Sequence, residues 1–269
     1  MFNRKPRILV AITTFDLDAL RVSLPPLRRF AHKLTLVIHN DNPEIELRRR
    51  SVRKMYPRGK LHIINANQNF GELESRIRLV EYIRDKKIPA DWIIFADDDD
   101  VLIDVCAPDV DKNIFAIVQN ATTLSASLTD VFKISSKWTR GAPIGKTGPH
   151  FDITGTMIRT NIMFEFAEFV RISMPSVNKI LSNTRYRVPV SALLWAGMNA
   201  FVRMRHPEMS PIYMNQTNYV AIKIGHATTK YGHTVPNNAA AHRAVAGIIK
   251  QFTELVELTA AQNMVAENQ

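Results

Sequence analysis

Trp92-Ile93-Ile94-Phe95-Ala96-Asp97-Asp98-Asp99-Asp100 is an apolar run that ends in four consecutive acids, after which Val101-Leu102-Ile103 resumes the apolar pattern. The first half predicts a buried strand, and its carboxyl end delivers the acids into a crevice. Adjacent carboxylates repel one another, and burying them without a partner is costly. The group therefore requires a compensating cation, either a divalent metal or basic side chains. A solvent-exposed acidic turn is the alternative, but a surface loop has no reason to follow an apolar run so closely. The stretch reads as a metal and phosphate site.

The 269 residues suit one large domain or two closely joined halves, with chain enough for a substantial core. At 46% hydrophobic and 22% charged, the composition is that of an ordinary globular protein. A single cysteine, Cys106, excludes an internal disulfide framework and fits a reducing compartment. Its place just after the acidic strand suits a small core residue better than a nucleophile. No apolar run reaches transmembrane length, and no signal peptide is expected before the first strand. A cytoplasmic enzyme, with peripheral contact at the inner face of a membrane, is the expected setting. The formal charge of +10 favours anionic partners without choosing among them.

Before the acidic stretch, Arg7 to Thr14 reads as a buried first strand, with a helix to about Phe30 that Pro25-Pro26 interrupts or restarts. Leu34 to His39 is a second strand ending at Asn40-Asp41-Asn42-Pro43. Strand, helix and strand at this spacing form a βαβ unit with a parallel sheet. Ligands bind beyond the carboxyl ends of such strands, where Thr13, Thr14, Asp16 and Asp41 stand. Between Glu44 and Lys60 lie Arg48, Arg49, Arg50, Arg53, Lys54, Arg58 and Lys60. The plain reading is a solvated helix and loop, and the other is a membrane-surface or phosphate-binding patch. Tyr56 alone interleaves an aromatic ring, which disfavours a single-stranded nucleic-acid platform. Leu61 to Ile64 is a third strand. It leads through the turn Asn65 to Gly71 into a helix from Glu72 to about Lys86, with Leu73, Ile77, Val80 and Ile83 on one face. Asn69 and Gly71 suit a close backbone approach to a ligand, and Arg76 a phosphate; a well-capped helix with a surface arginine is the plain alternative.

In order and separation these pieces resemble the nucleotide-sugar-binding half of a GT-A glycosyltransferase, specifically the large inverting group called family 2. The resemblance is carried by the strand Ile8 to Phe15, the strand ending near Asp41, the turn Asn69-x-Gly71-x-x-x-Ser75-Arg76 and the motif Phe95-Ala96-Asp97-Asp98-Asp99-Asp100. It covers roughly residues 6–105. The implied fold is α/β of the GT-A type for nucleotide-diphospho-sugar transferases, with a mostly parallel central sheet flanked by helices. By position, Asp16 and Asp41 resemble residues around the nucleobase and ribose, and Arg76 the arginine after the glycine turn. Asp97 and Asp99 resemble the DxD acids, with Asp98 between them; a frame one residue later, Asp98 and Asp100, stays open. The resemblance implies Mn²⁺ or Mg²⁺ on these carboxylates, bridging the diphosphate of a nucleotide-sugar donor.

The later chain divides less clearly. Asn113 to Gln119 is a strand candidate, Thr122 to Lys137 is polar and unplaced, and Gly141 to Pro149 is a glycine- and proline-rich loop. Gly145-Lys146-Thr147 is not a P-loop, because the preceding glycine spacing is wrong and Pro149 interrupts the helix. His150 to Arg159 resembles the family's mid-chain glycine-containing strand, with a helix through Phe164, Glu165, Glu168 and Phe169 after it. Inverting transfer needs a base for the acceptor hydroxyl. The family's usual Glu-Asp pair is absent, so Asp152 is the first candidate, then Glu165 and Glu168. Val188 to Ala200 is a core helix or strand, and Tyr219 to Ile224 a late strand. The loop Gly225 to His233 then offers His226 as a further metal ligand and Lys230 or His233 for the diphosphate. A capped final helix runs from Asn237 or Asn238 to about Ala261. Residues 1–110 form the expected nucleotide-sugar half, 111–236 the acceptor and catalytic half of the same compact domain, and 237–269 the helix and a frayed tail.

The implied activity moves a sugar, with inversion, from a nucleotide-diphosphate sugar to a hydroxyl of a glycan or lipid-linked glycan. The alternatives are an inactive nucleotide- or carbohydrate-binding protein and a sugar-phosphate nucleotidyltransferase, the latter disfavoured because Ile12-Thr13-Thr14-Phe15 at the first strand carries no glycine-rich signature. Nucleic acid is not an expected partner, since no recognition motif is present and four clustered acids oppose phosphate.

Overall fold

The computed structural model describes residues 5–105, 108–125, 146–149, 152–183, 188–223 and 239–267. Cys106, most of the polar stretch after Thr122, residues 141–145, His150, Phe151, His226, Lys230 and His233 lie outside them.

The first hundred residues follow the alternation of the sequence. Ile8–Thr14 (β1), Leu34–Asn40 (β2), Lys60–Asn65 (β3) and Trp92–Asp97 (β4) pair in parallel in the order β3-β2-β1-β4. Leu20–Leu27 (α1), Arg49–Met55 (α2) and Glu72–Asp85 (α3) connect them. Both prolines lie inside α1, which tightens into a 3-10 turn at Arg28–Phe30. Aliphatic residues on both faces of β1 divide the interior: Leu9 and Ala11 face one apolar cluster, and Ile8, Val10 and Ile12 the other. The second cluster is closed by Leu20, Leu24, Leu27, Val52 and Tyr56 of α1, α2 and their neighbours.

Past Asp97 the mostly parallel sheet expected from the sequence gives way. Val101–Leu102 (β5), Ile114–Ser125 (β6), Lys146–Pro149 (β7), Met157–Arg159 (β8) and Ser210–Lys223 (β9) extend the order to β3-β2-β1-β4-β8-β6-β9-β5, with β7 on β6. Of the eight pairings, β4–β8, β6–β8, β6–β7 and β5–β9 are antiparallel, so the sheet is mixed. It also curls strongly, toward a half-barrel. The connectivity demands this. β4 and β5 are four strand spacings apart in the sheet order, about 19 Å if it were flat. Yet only Asp98, Asp99 and Asp100 join them, a link that spans about 14 Å when fully extended. The sheet must roll to bring β9 and β5 back beside the end of β4.

The expected loop Gly141 to Pro149 therefore ends in a strand, and the late strand expected from Tyr219 begins earlier, at Ser210, as β9. Thr160–Ser182 (α4), Val190–Arg205 (α5) and Ala239–Glu267 (α6) cover the face opposite α1 and α2, together with α3. The last helix continues beyond the predicted Ala261. Arg171 of α4 ties down α3 through Glu74 and Glu81, each at 2.7 Å. No helix among the described residues is long and apolar enough to cross a membrane.

Helices α5 and α6 meet closely because Gly197 carries no side chain: a Cβ there would stand 2.3 Å from the buried ring of Phe252. Gly197→Ala should overpack this contact and lower stability by about 1–3 kcal/mol, read as a shifted denaturant midpoint with an unchanged slope. An unshifted midpoint would show that the ring has room to move.

Candidate functional site

The four acids form the turn between β4 and β5, closed by the Asp100 amide on the Asp97 carbonyl at 3.3 Å. Thr13 pairs with Asp97 across β1 and β4, so the turn lies at the carboxyl ends of the parallel strands. Three of its four carboxylates meet donors from different parts of the chain. Asp97 Oδ1 accepts from Arg76 Nη2 at 2.6 Å. Asp98 Oδ2 accepts from the Thr14 hydroxyl at 2.6 Å. Asp100 accepts from the Tyr219 hydroxyl of β9. Asp99, half-buried, is held by no side chain among the described residues.

Arg76 is the cation that the sequence requires for these acids. Its side chain is 1% exposed, lies 3.1 Å from Glu72 one turn earlier on α3, and rests over the Phe95 ring. Burial pulls the guanidinium down, but Asp97 and Glu72 outweigh it and hold Arg76 above its ordinary value. Burial pushes the Asp97 carboxyl up while Arg76 pulls it back. Arg76 cannot lose its proton inside the protein, so we take Asp97 as its ionised counterion. The surplus of negative charge falls on the other acids. Burial raises Asp98 to about 7, with the Thr14 bond opposing and Asp97 and Asp16 adding to it. Burial and then Asp100, Asp98 and Asp97 hold Asp99 well above the usual carboxylate range.

Tyr219 reaches Asp100 because of a glycine. Gly155 has φ +75°, and a Cβ there would meet the Tyr219 ring at 2.7 Å. Its amide bonds the Phe95 carbonyl at 2.8 Å and its carbonyl accepts from Asn218 at 3.2 Å, locking the segment before β8 between β4 and β9. Asp152 stands at the head of that segment. Its Oδ1 accepts from the Thr154 amide and hydroxyl at 3.1 and 2.9 Å, and its Oδ2 from Ser191 at 2.9 Å. Its charge acts on Arg76, Asp97 and Tyr219, so Asp152 belongs to the same neighbourhood.

A second cluster lies at the ends of β2 and β3. Asp41 accepts from the Phe70 and Gly71 amides, both at 2.9 Å, and Asn69 also accepts from Gly71 at 2.9 Å. Gly71 needs its φ of +78° to begin α3 there. Phe70 stacks beneath the Arg78 guanidinium at 3.7 Å. Asp16 is exposed and holds the Asp18 amide. Glu165 and Glu168 lie elsewhere, on α4, against His206 at 2.7 Å and Arg84 at 3.5 Å. His226 and Lys230 are outside the described residues.

These positions set limits on a metal. Among the described residues, no three ligating side chains are grouped to hold an ion. Arg76, Thr14 and Tyr219 each bond one carboxylate oxygen of Asp97, Asp98 and Asp100. Glu72, Ser191 and Tyr219 are the site residues that sequence reasoning missed, whereas Thr14 stood among those expected at the strand ends. The only hint of Tyr219 was a β-rich run ending before a polar loop.

Neither protein-family models nor curated proteins match this chain. Among solved structures, TarS of S. aureus shares 13% identity and a TM-score of 0.47 over 81% of this chain and 37% of its own. Glucosyl-3-phosphoglycerate synthase of Mycobacterium tuberculosis, solved with Mg²⁺ and uridine diphosphate, shares 9% and 0.41 over 93% and 80%. The glycosyltransferase GlyE of Streptococcus pneumoniae shares 10% and 0.38 over 94% and 64%. This chain thus spans well under half of the TarS chain it is compared with.

Two tests follow from the geometry of the turn. The Asp98 carboxyl is raised in the fold from an ordinary 3.8 to about 7. Its stabilising contribution is then full below the unfolded value and is lost as pH rises through about 7. The Asp98 contribution to the thermal midpoint should fall between about pH 4 and pH 7, and Asp98→Asn should flatten that slope; equal slopes would contradict the shift. Tyr219→Phe removes a donor to a buried acid and should cost about 1–3 kcal/mol in chemical denaturation.

Proposed function

We propose that the chain is a glycosyltransferase that moves a sugar from a nucleotide-diphosphate sugar to a hydroxyl of a glycan or lipid-linked glycan, with inversion. One observation carries the reading: a partly buried acidic turn at the carboxyl end of β4, beside the end of β1, with a buried arginine behind it. In parallel α/β units this is where ligands bind. Asp41 fixes the Phe70–Gly71 turn, which supports the use of this second cluster as the nucleoside end of the crevice.

In the transfer, the acceptor oxygen forms a bond to the anomeric carbon as the bond from that carbon to the diphosphate breaks. The acceptor proton passes to a base. Asp152 takes that role in this reading, since three donors orient its carboxylate within the neighbourhood of the acids. Glu165 and Glu168 are engaged on α4 and are poorer candidates. Among the described residues no three ligating side chains are grouped to hold an ion, and the proton transfer in this reading uses the chain's own groups.

The competing reading is a nucleotide- or carbohydrate-binding protein without turnover, favoured by the commitment of three of the four acids to protein donors. A panel of UDP-, GDP-, CMP- and TDP-sugars separates the two, assayed for hydrolysis and for transfer with Mn²⁺, with Mg²⁺ and with chelator. Turnover of one donor is expected. Asp99→Ala should abolish it, and Asp152→Asn should lower kcat by about 10²–10⁴ with little change in donor KM. Saturable nucleotide binding with no turnover across an acceptor screen would establish the binding protein instead. Full activity in Asp99→Ala would remove the acidic turn from the chemistry.

A further inference from the structure

Seven of the thirteen residues from Arg48 to Lys60 are basic and none is acidic. The structure places them on α2 and on the turn leading into edge strand β3, on the sheet face opposite α4, α5 and α6. Their partners decide what such a run can do. In a self-compensating surface each arginine would face a carboxylate, as Arg171 does on α3. Here, among the described residues, only Arg48 is paired with a carboxylate, Glu46 at 3.1 Å.

The other guanidinia that are held are held by neutral groups. Arg49 donates to the Leu61 carbonyl at 2.6 Å, and Arg53 to the Gly59 carbonyl at 3.0 Å. Arg28 reaches across from the end of α1 to the Met55 and Lys54 carbonyls at 2.5 and 3.1 Å. Carbonyls fix a guanidinium in place without cancelling its charge. Arg50, Lys54, Arg58 and Lys60 are exposed beside them, with no carboxylate partner among the described residues. Shallow depressions of about 380 and 400 Å³ flank the start of β3, the second lined by Arg7, His32, Lys33 and Lys60.

We propose that this face docks the protein on an anionic membrane surface. A lipid surface fits better than a nucleic acid because the cations spread over an edge with no exposed aromatic ring among them: Tyr56 is fully buried. Ile45, 49% exposed on the connection entering α2, adds an apolar group that can enter the interfacial layer. Each cation near an anionic leaflet strengthens binding about fivefold, an attraction that salt screens within about 10 Å at 0.1 M. The inference rests on charge and exposure, independently of the transferase reading.

The test is sedimentation with vesicles of phosphatidylcholine alone and with about 30% phosphatidylserine, at low and high salt. Binding to the anionic vesicles only, lost at high salt, is expected. Replacing Arg50, Lys54 and Lys60 by glutamine should weaken it at least about tenfold, because these side chains hold no structural contact. The same charge change on the opposite face, at Lys179, Arg203 and Lys250, should leave binding within about twofold. Equal binding to neutral vesicles, equal loss in the two triple variants, or binding to heparin or DNA but not to vesicles would each overturn the proposal. No turnover is read, so this inference and the transferase reading can fail separately.

Discussion

A link of three residues governs the architecture. Asp98, Asp99 and Asp100 alone join β4 to β5, although three strands lie between them in the sheet. A chain that short cannot cross a flat sheet of that width. The roll it imposes sets β9 against β5 and brings Tyr219 to Asp100. It also confines four carboxylates to one turn, where repulsion and burial both disfavour ionisation. The acids are thus both the connection that bends the sheet and the group that the rest of the site must hold.

Holding them draws on donors far apart in sequence. Arg76 comes from α3, Thr14 from the end of β1 and Tyr219 from β9. Each bond satisfies one carboxylate and ties one element to the turn. Gly155 is part of the same construction, since its missing side chain makes room for the Tyr219 ring. Asp152, capped by Thr154 and Ser191, extends the polar network toward α5. A buried polar network of this kind fixes one arrangement because each unpaired member would be costly.

Charge is distributed unevenly between the parts of the molecule. The acids concentrate at the carboxyl end of β4, with the buried guanidinium of Arg76 behind them. The cations of α2 and the β3 edge lie on a surface where carbonyls position several of them without neutralising them. On α3 and α4, by contrast, opposite charges are matched in bridges such as Arg171 with Glu74 and Glu81. Matched charges mainly join helices, whereas unmatched ones leave a field that an external partner can feel.

The sequence by itself determined the first four strands and their helices, because near-continuous aliphatic runs alternating with helical periods leave little other choice. It also determined that Asp97 to Asp100 need a countercharge, and Arg76 was among the residues singled out beside them. Only the tertiary structure decided the mixed pairing. A strand's direction after a tight connection depends on which edge accepts it, and Met157–Arg159 carries no mark of running antiparallel to β4. The structure likewise decided that Arg76 faces the acids rather than solvent, and that Asp41 holds the turn before α3. It separated Asp152 from Glu165 and Glu168, which composition and spacing had left together. Local pattern reports burial and period, whereas a carboxylate's partner can lie 119 residues away, as Tyr219 does from Asp100.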